Sequence, residues 1–175
     1  MAGDLTAKHN GRINENESEV FAFMALLKAC TVRKALDEGC RIHAHIVKKG
    51  LQNETFIANT LVDMYAKCGF LSTAQEIFDD LPVKDAVSWN ILTAGYVEHG
   101  YSDTTLYLLE QMQRMGIHPN NVTLVCSLKA CGSIRATLAG NEICEEIVQK
   151  VVERDYFIGN TLVDMYAKCT NCRIC

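Results

Sequence analysis

The chain has 175 residues, a formal net charge of −4, 49% hydrophobic residues and only two prolines. An acidic balance excludes broad, charge-driven coating of nucleic acid, which needs a basic footprint, and no uninterrupted apolar run approaches the ~18 residues that cross a bilayer. Nine cysteines without regular pairing point to a reduced compartment rather than a disulfide framework.

Residues 1–19 form a polar leader, expected to be disordered. Its Asp4, Glu15, Glu17 and Glu19 depart from the Arg-rich, acidic-poor composition of a transit peptide, so no presequence is visible. A helical apolar pattern begins near Val20, and from there repetition organises the chain. The stretch "NTLVDMYAKC" at 59–68 returns letter for letter at 160–169, an offset of 101 residues. The same offset carries Leu27-Lys28-Ala29-Cys30 onto Leu128-Lys129-Ala130-Cys131, Gly39 onto Gly140, and Phe56-Ile57 onto Phe157-Ile158. A simple solenoid unit runs about 20–50 residues, so this longer period must hold several unlike sub-units.

Pro82 and Pro119 each follow a helical apolar run, where helices stop. They divide the chain into blocks at 20–54, 55–85, 86–120, 121–155 and 156–175, the first three filling one period and the last ending about one helix short. Each full block reads as two helices. In 55–85, Ile57, Leu61, Met64, Tyr65 and Cys68 recur at helical spacing and Gly69 stands where a C-cap belongs. Ser72 and Gln75 have capping-box form and open the second helix; Gly100 divides 86–120 in the same way. Strand signals are weak. The expected fold class is all-α, an α-solenoid of stacked antiparallel helical hairpins that bury their apolar faces between neighbours.

At about 100° per residue, Ile57, Leu61, Met64 and Cys68 gather opposite Asn59, while Phe56, Asp63 and Lys67 fall within roughly 80° of it. The block therefore turns an amide, an aromatic edge and a lysine to its open side. The same offsets hold Asn90, Val87 and Glu98 in 86–120, and Asn160, Phe157 and Lys168 in the last block. An asparagine repeated at one outward position suggests a surface that reads something.

The segments "LLKAC", "GCRIHAHIV", "NTLVDMYAKCG", "AQEIFDDLP" and "VSWNILTAGY" resemble the plant pentatricopeptide repeat family, and specifically its subclass of alternating long, short and standard repeats. The resemblance covers about residues 20–175. It implies a right-handed superhelix whose first helices line a groove for single-stranded RNA, in proteins of organellar RNA editing or processing in mitochondria or chloroplasts. By that resemblance the fifth residue of a short or standard repeat reads a base together with the repeat's last residue. Asn59 with Asp85 then implies uridine; Asn90 with Asn120 implies a pyrimidine, leaning to cytidine; and Asn160 is the reader of the last block. Phe56, Val87, Val122 and Phe157 would sandwich bases, and Lys67 and Lys168 would reach phosphates. Glu98 departs from the lysine expected at its position. The long repeats carry Met24 and Val125 at the reading position and are expected to space rather than specify.

Other candidates carry less. His43 and His45 look like a metal pair, but Cys144 and Glu146 replace them one period on, so repeat packing explains them better. Cys169-x-x-Cys172-x-x-Cys175 has cluster spacing but no fourth ligand. No metal and no cofactor is expected. The His-x-Glu and Pro-Cys-x-x-Cys signature of zinc deaminases is absent, as are phosphate loops and nucleophile elbows, so enzyme activity is not expected. The partners expected are single-stranded RNA, bound weakly, proteins of an editing complex, and a second copy through the incomplete last repeat. The alternative reading is a helical-repeat scaffold holding a peptide or partner protein in the same groove.

Overall fold

In a computed structural model of the chain, the residues described are 5–134, 149 and 159–170, with side chains placed from Glu17 onward. They form helices α1 (Leu5–Arg33), α2 (Leu36–Lys49), α3 (Thr55–Lys67), α4 (Leu71–Asp79), α5 (Ala86–Glu98), α6 (Ser102–Arg114), α7 (Asn121–Ser133) and α8 (Gly159–Thr170), and no strand among the described residues. The chain divides into two compact units, Met1–Val83 and Lys84–Cys175.

In the first unit α3 packs against α1 and α4, and α2 lies against α1. The apolar positions picked out by helical spacing supply the core: Leu27 and Cys30 from α1, Ile46 from α2, Ile57, Leu61 and Met64 from α3, Ala74 and Phe78 from α4. Each large side chain so buried contributes about 1.5–3 kcal/mol, which is what holds helices as short as α4, with nine residues, in place. Gly39 brings α2 close to α3, since a Cβ there would lie 2.7 Å from Met64 Sδ.

The hairpin turns share one construction. At Gly69 (φ 88°) the glycine N–H donates to Ala66 O at 3.0 Å and Phe70 N–H to Tyr65 O at 2.9 Å, the Schellman pair that satisfies two end carbonyls. Gly100 repeats it onto Val97 and Tyr96. At the α1–α2 turn the same pattern falls on Lys34, a non-glycine held at φ 52°.

Two expectations are corrected. The leader expected to be disordered over 1–19 is helical from Leu5, as a continuation of α1; it contains no proline, and adding turns to a packed helix needs no new nucleus. The capping box expected at Ser72 and Gln75 does not form: α4 begins at Leu71 without a side-chain cap, Ser72 is exposed, and Gln75 Nε2 donates to Asp79 Oδ1 at 2.9 Å instead. The Schellman turn already fixes Phe70, so the helix starts two residues sooner than the serine cap would place it.

In the second unit α5 packs on α6 and α7, α6 on α7, and α7 on α8. Leu106, Leu109, Leu124, Leu128, Ala130, Cys131 and Met165 make its core. The second helix expected for block 121–155, the start of the last block with Phe157, and Cys172 and Cys175 of the cysteine tail lie outside the described residues, as do the side chains of Lys168 and Cys169.

Candidate nucleic-acid interface

The most developed polar arrangement joins α5 to α7. Asn120 precedes α7 with extended backbone, and its Oδ1 accepts from Val122 N–H at 3.0 Å and Thr123 N–H at 3.3 Å, while Thr123 Oγ1 accepts from Asn120 N–H at 3.3 Å. This is a complete capping box. Thr123 Oγ1 also lies 2.5 Å from Asn90 Oδ1 and 3.3 Å from Asn120 Oδ1. The hydroxyl has one hydrogen, and the shorter contact takes it. Both asparagine oxygens are therefore engaged, and each residue is left with its Nδ2 amide as a donor. Asn90 is half-buried and Asn120 exposed. Sequence reasoning missed Thr123, although an Asn followed three residues later by Thr was the available signal.

The other candidates stand separately. Asp85 caps α5: its Oδ1 accepts from Ser88 N–H at 2.9 Å, while the Ser88 hydroxyl, 2.8 Å from Asp85 O and 3.1 Å from Oδ1, donates to the nearer backbone oxygen, leaving Oδ2 as an acceptor. Asp85 belongs to the second unit and Asn59 to the first. Asn59, expected on the open side of its helix, is buried at 7% exposure, with Oδ1 unpartnered. The wheel gives a side chain's direction but not the depth of what surrounds it, so the open-side placement is wrong for this residue. Asn160 is exposed. Phe56, Val87 and Val122 are exposed at 71%, 55% and 52%, well above what packing residues show. Lys67 Nζ pairs with Asp63 at 2.9 Å on the helix surface, a contact worth about 0.3–0.5 kcal/mol that a phosphate can displace. Glu98 is exposed; Met24 and Val125 are half-buried.

Models of the "PPR repeat" and the "PPR repeat family" match residues 56–85 and 84–133. Residues 56–133 are similar to pentatricopeptide repeats. A chloroplastic pentatricopeptide repeat-containing protein of Arabidopsis thaliana is 36% identical over 153 residues, covering 87% of this chain and 25% of the relative. A second chloroplastic one is 36% identical over 168 residues, covering 95% and 32%, and a mitochondrial one 36% identical over 149 residues, covering 85% and 14%. The chain thus spans a third or less of the length of these relatives. The crystal structure of the pentatricopeptide repeat protein PPR10 from maize superposes with a TM-score of 0.71 at 22% identity, covering 86% of this chain and 22% of that one. That likeness establishes the fold as the helical-hairpin solenoid expected from the repetition.

Away from the reading positions, a polar tie joins α2 to α3 in the first unit. Tyr65 Oη is hydrogen-bonded to His43 Nδ1 at 3.0 Å and donates to Cys40 Sγ at 3.6 Å, with the His43 and Tyr65 rings edge to face. Burial lowers the His43 pKa; burial and then the Cys40 contact raise that of Tyr65. His43 is thus a packing residue and His45 an exposed one. Burial likewise raises Cys68 and Cys126, keeping both as thiols. His43 also lines a cleft of about 280 Å³ with Val47, Leu61, Ile77 and Pro82, rimmed by Glu76 and Asp80, carboxylates that repel a phosphate backbone. No metal-binding cluster occurs among the described residues, and no described helix is long and apolar enough to cross a membrane.

Proposed function

We propose that these repeats bind single-stranded RNA with sequence preference, short and standard repeats taking one base each. The observation that carries this reading is the Thr123-centred arrangement, which commits the oxygens of Asn90 and Asn120 and leaves two amide donors. Two donors complement the N3 and O2 acceptors of cytosine and oppose the N3–H of uracil. Asp85, whose free oxygen is an acceptor, suits uracil N3–H, and Asn160 is the reader of the last block. Phe56, Val87, Val122 and Phe157 supply stacking surfaces, and Lys67 and Lys168 supply phosphate contacts. Relatives named chloroplastic and mitochondrial support an organellar location; the role there, which the family resemblance implies, is RNA editing or processing, as the base-reading part of a larger assembly.

Affinity is limited by size. Three or four stacked bases at roughly 1–3 kcal/mol each oppose an association cost of about 4–15 kcal/mol, so binding by this chain is micromolar to millimolar. Titration of a uridine–cytidine octamer and a purine octamer, followed by amide chemical shifts at low salt, tests it. Saturating shifts around Asn90 and Asn120 with the pyrimidine strand alone are expected; equal or absent shifts with both strands refute the reading.

A second reading draws on the cleft at Val47, Ile77, Glu76 and Asp80. An apolar floor with an acidic rim suits a basic, apolar segment of a partner protein, such as an editing-complex component, and is compatible with RNA held elsewhere. Glu76→Lys would abolish such binding and leave RNA binding unchanged.

A further inference from the structure

The cleft of the first unit lies wholly within residues Met1–Val83, and its charge is unbalanced. Val47 of α2, Ala58 and Leu61 of α3, and Ile77 of α4 give it an apolar floor. Glu76 and Asp80 stand on its rim, both exposed, and no lysine or arginine lines it. Asp80 N–H donates to Glu76 O at 3.0 Å, so the two residues are one helical turn apart, which sets their side chains about 5–6 Å from each other. Neither carboxylate makes an ion pair among the described residues.

The helix that carries them adds to the imbalance. The C-terminal end of a helix is its negative pole, where a cation is favoured. Helices α2, α3 and α6 end accordingly, on Lys48 and Lys49, on Lys67 and on Arg114. Helix α4 has no basic residue in its last turn and closes instead on Glu76, Asp79 and Asp80. Asp79 is engaged by Gln75 Nε2, whereas Glu76 and Asp80 border the cleft. Like charges one turn apart repel each other, and the negative pole of α4 repels both. A single cation placed between them relieves all three terms.

We infer that this cleft is an arginine socket, taking one arginine side chain of a partner protein. The inference rests on the reading of the cleft as a site for a basic, apolar segment, and names the residue that anchors it. At about 280 Å³ the cleft is at the lower edge of the roughly 300–1,000 Å³ that hold a drug-sized ligand, which suits one long side chain. An arginine lays its aliphatic stem along apolar surface and keeps its charged head at the rim, here along Val47, Leu61 and Ile77 toward Glu76 and Asp80. Its planar guanidinium presents donors along several edges and spans two separated carboxylates, where the compact ammonium of lysine acts as a point charge. The side-chain oxygens of Gln52 and Asn53, on the same lining, accept further N–H groups. Burial lowers the His43 pKa, so at neutral pH the ring in this lining brings no charge to repel the guanidinium.

Titration of the full chain, without RNA, with a capped leucine–arginine–leucine tripeptide tests it, followed by the amide chemical shifts of Val47, Glu76, Ile77 and Asp80. The lysine and citrulline counterparts of the tripeptide are the comparisons, each taken to about 10 mM. The arginine peptide is expected to saturate those shifts and the lysine peptide to bind about tenfold more weakly. The citrulline peptide, which keeps the shape without the charge, should leave them unmoved. Glu76→Gln and Asp80→Asn, both at exposed positions, should each weaken the arginine peptide by about fivefold or more, with circular dichroism verifying that the helices persist. Equal binding of the arginine and lysine peptides overturns the arginine socket and leaves the basic-segment reading standing. No shift with either peptide overturns both. Arginine binding that is unchanged in the two folded variants overturns the socket as well.

Discussion

Thr123 is a small residue with a large share of the polar geometry: it closes the cap of α7 with Asn120 and reaches Asn90 on another helix. Because Asn120 serves the cap, Asn120→Ala should cost about 1 kcal/mol in urea unfolding. Asn120→Asp keeps an oxygen for the cap but turns an acceptor outward in place of the amide donor. It should hold stability within about 0.5 kcal/mol and shift base preference from cytidine toward uridine in the RNA titration; unchanged preference would remove Asn120 from the readers. Lys34 gives a further check at this scale. Held at φ 52°, it occupies a conformation that costs a residue with a Cβ about 1 kcal/mol, so Lys34→Gly should raise stability by roughly 0.5–1 kcal/mol.

Among helices, the α2–α3 approach sets two effects of known size against each other. Gly39→Ala gains about 1 kcal/mol of helix propensity but drives a Cβ to 2.7 Å from the Sδ of Met64, whose fully buried thioether end must shift to admit it; overpacking costs about 1–3 kcal/mol. The substitution should destabilise by about 1 kcal/mol in the native background and stabilise in a Met64→Ala background. The same sign in both would show that Met64 is not the obstacle. The neighbouring His43–Tyr65 tie predicts a pH dependence. His43 is less readily protonated folded than unfolded, so below its usual value near 6.5 the unfolded chain binds more protons and stability falls as pH falls. A His43→Gln variant should flatten that slope between about pH 7.5 and 5.5. At this scale the sequence was most readable: Gly69 and Gly100 announced their turns, and the spacing of Ile57, Leu61 and Met64 announced their core. Ser72 misled because a cap motif competes with the turn before it. Asn59 misled because periodicity fixes an angle and not what lies across from it. The Asn90–Thr123 contact, 33 residues apart, has no local signature at all.

For the whole molecule, a net charge of −4 forbids affinity built on phosphates, and whatever preference the repeats have must come from base edges and stacking. With Lys67 and Lys168 as the phosphate contacts, log K should fall with log salt at a slope of about −1.4, and Lys67→Ala should flatten it by about 0.7. A much steeper slope would mean a cationic track other than these lysines. That dependence on base edges gives the single hydroxyl hydrogen of Thr123 a wider meaning. It lies between two amide oxygens, at 2.5 and 3.3 Å, and cannot serve both at once. Replacing either asparagine, or drawing one toward an incoming nucleotide, redirects that hydrogen to the other. In the proposed reading, the letters of recognition are then not single residues but couples that answer each other. Combined substitutions at 90 and 120 should miss the sum of their separate effects by at least about 0.5 kcal/mol.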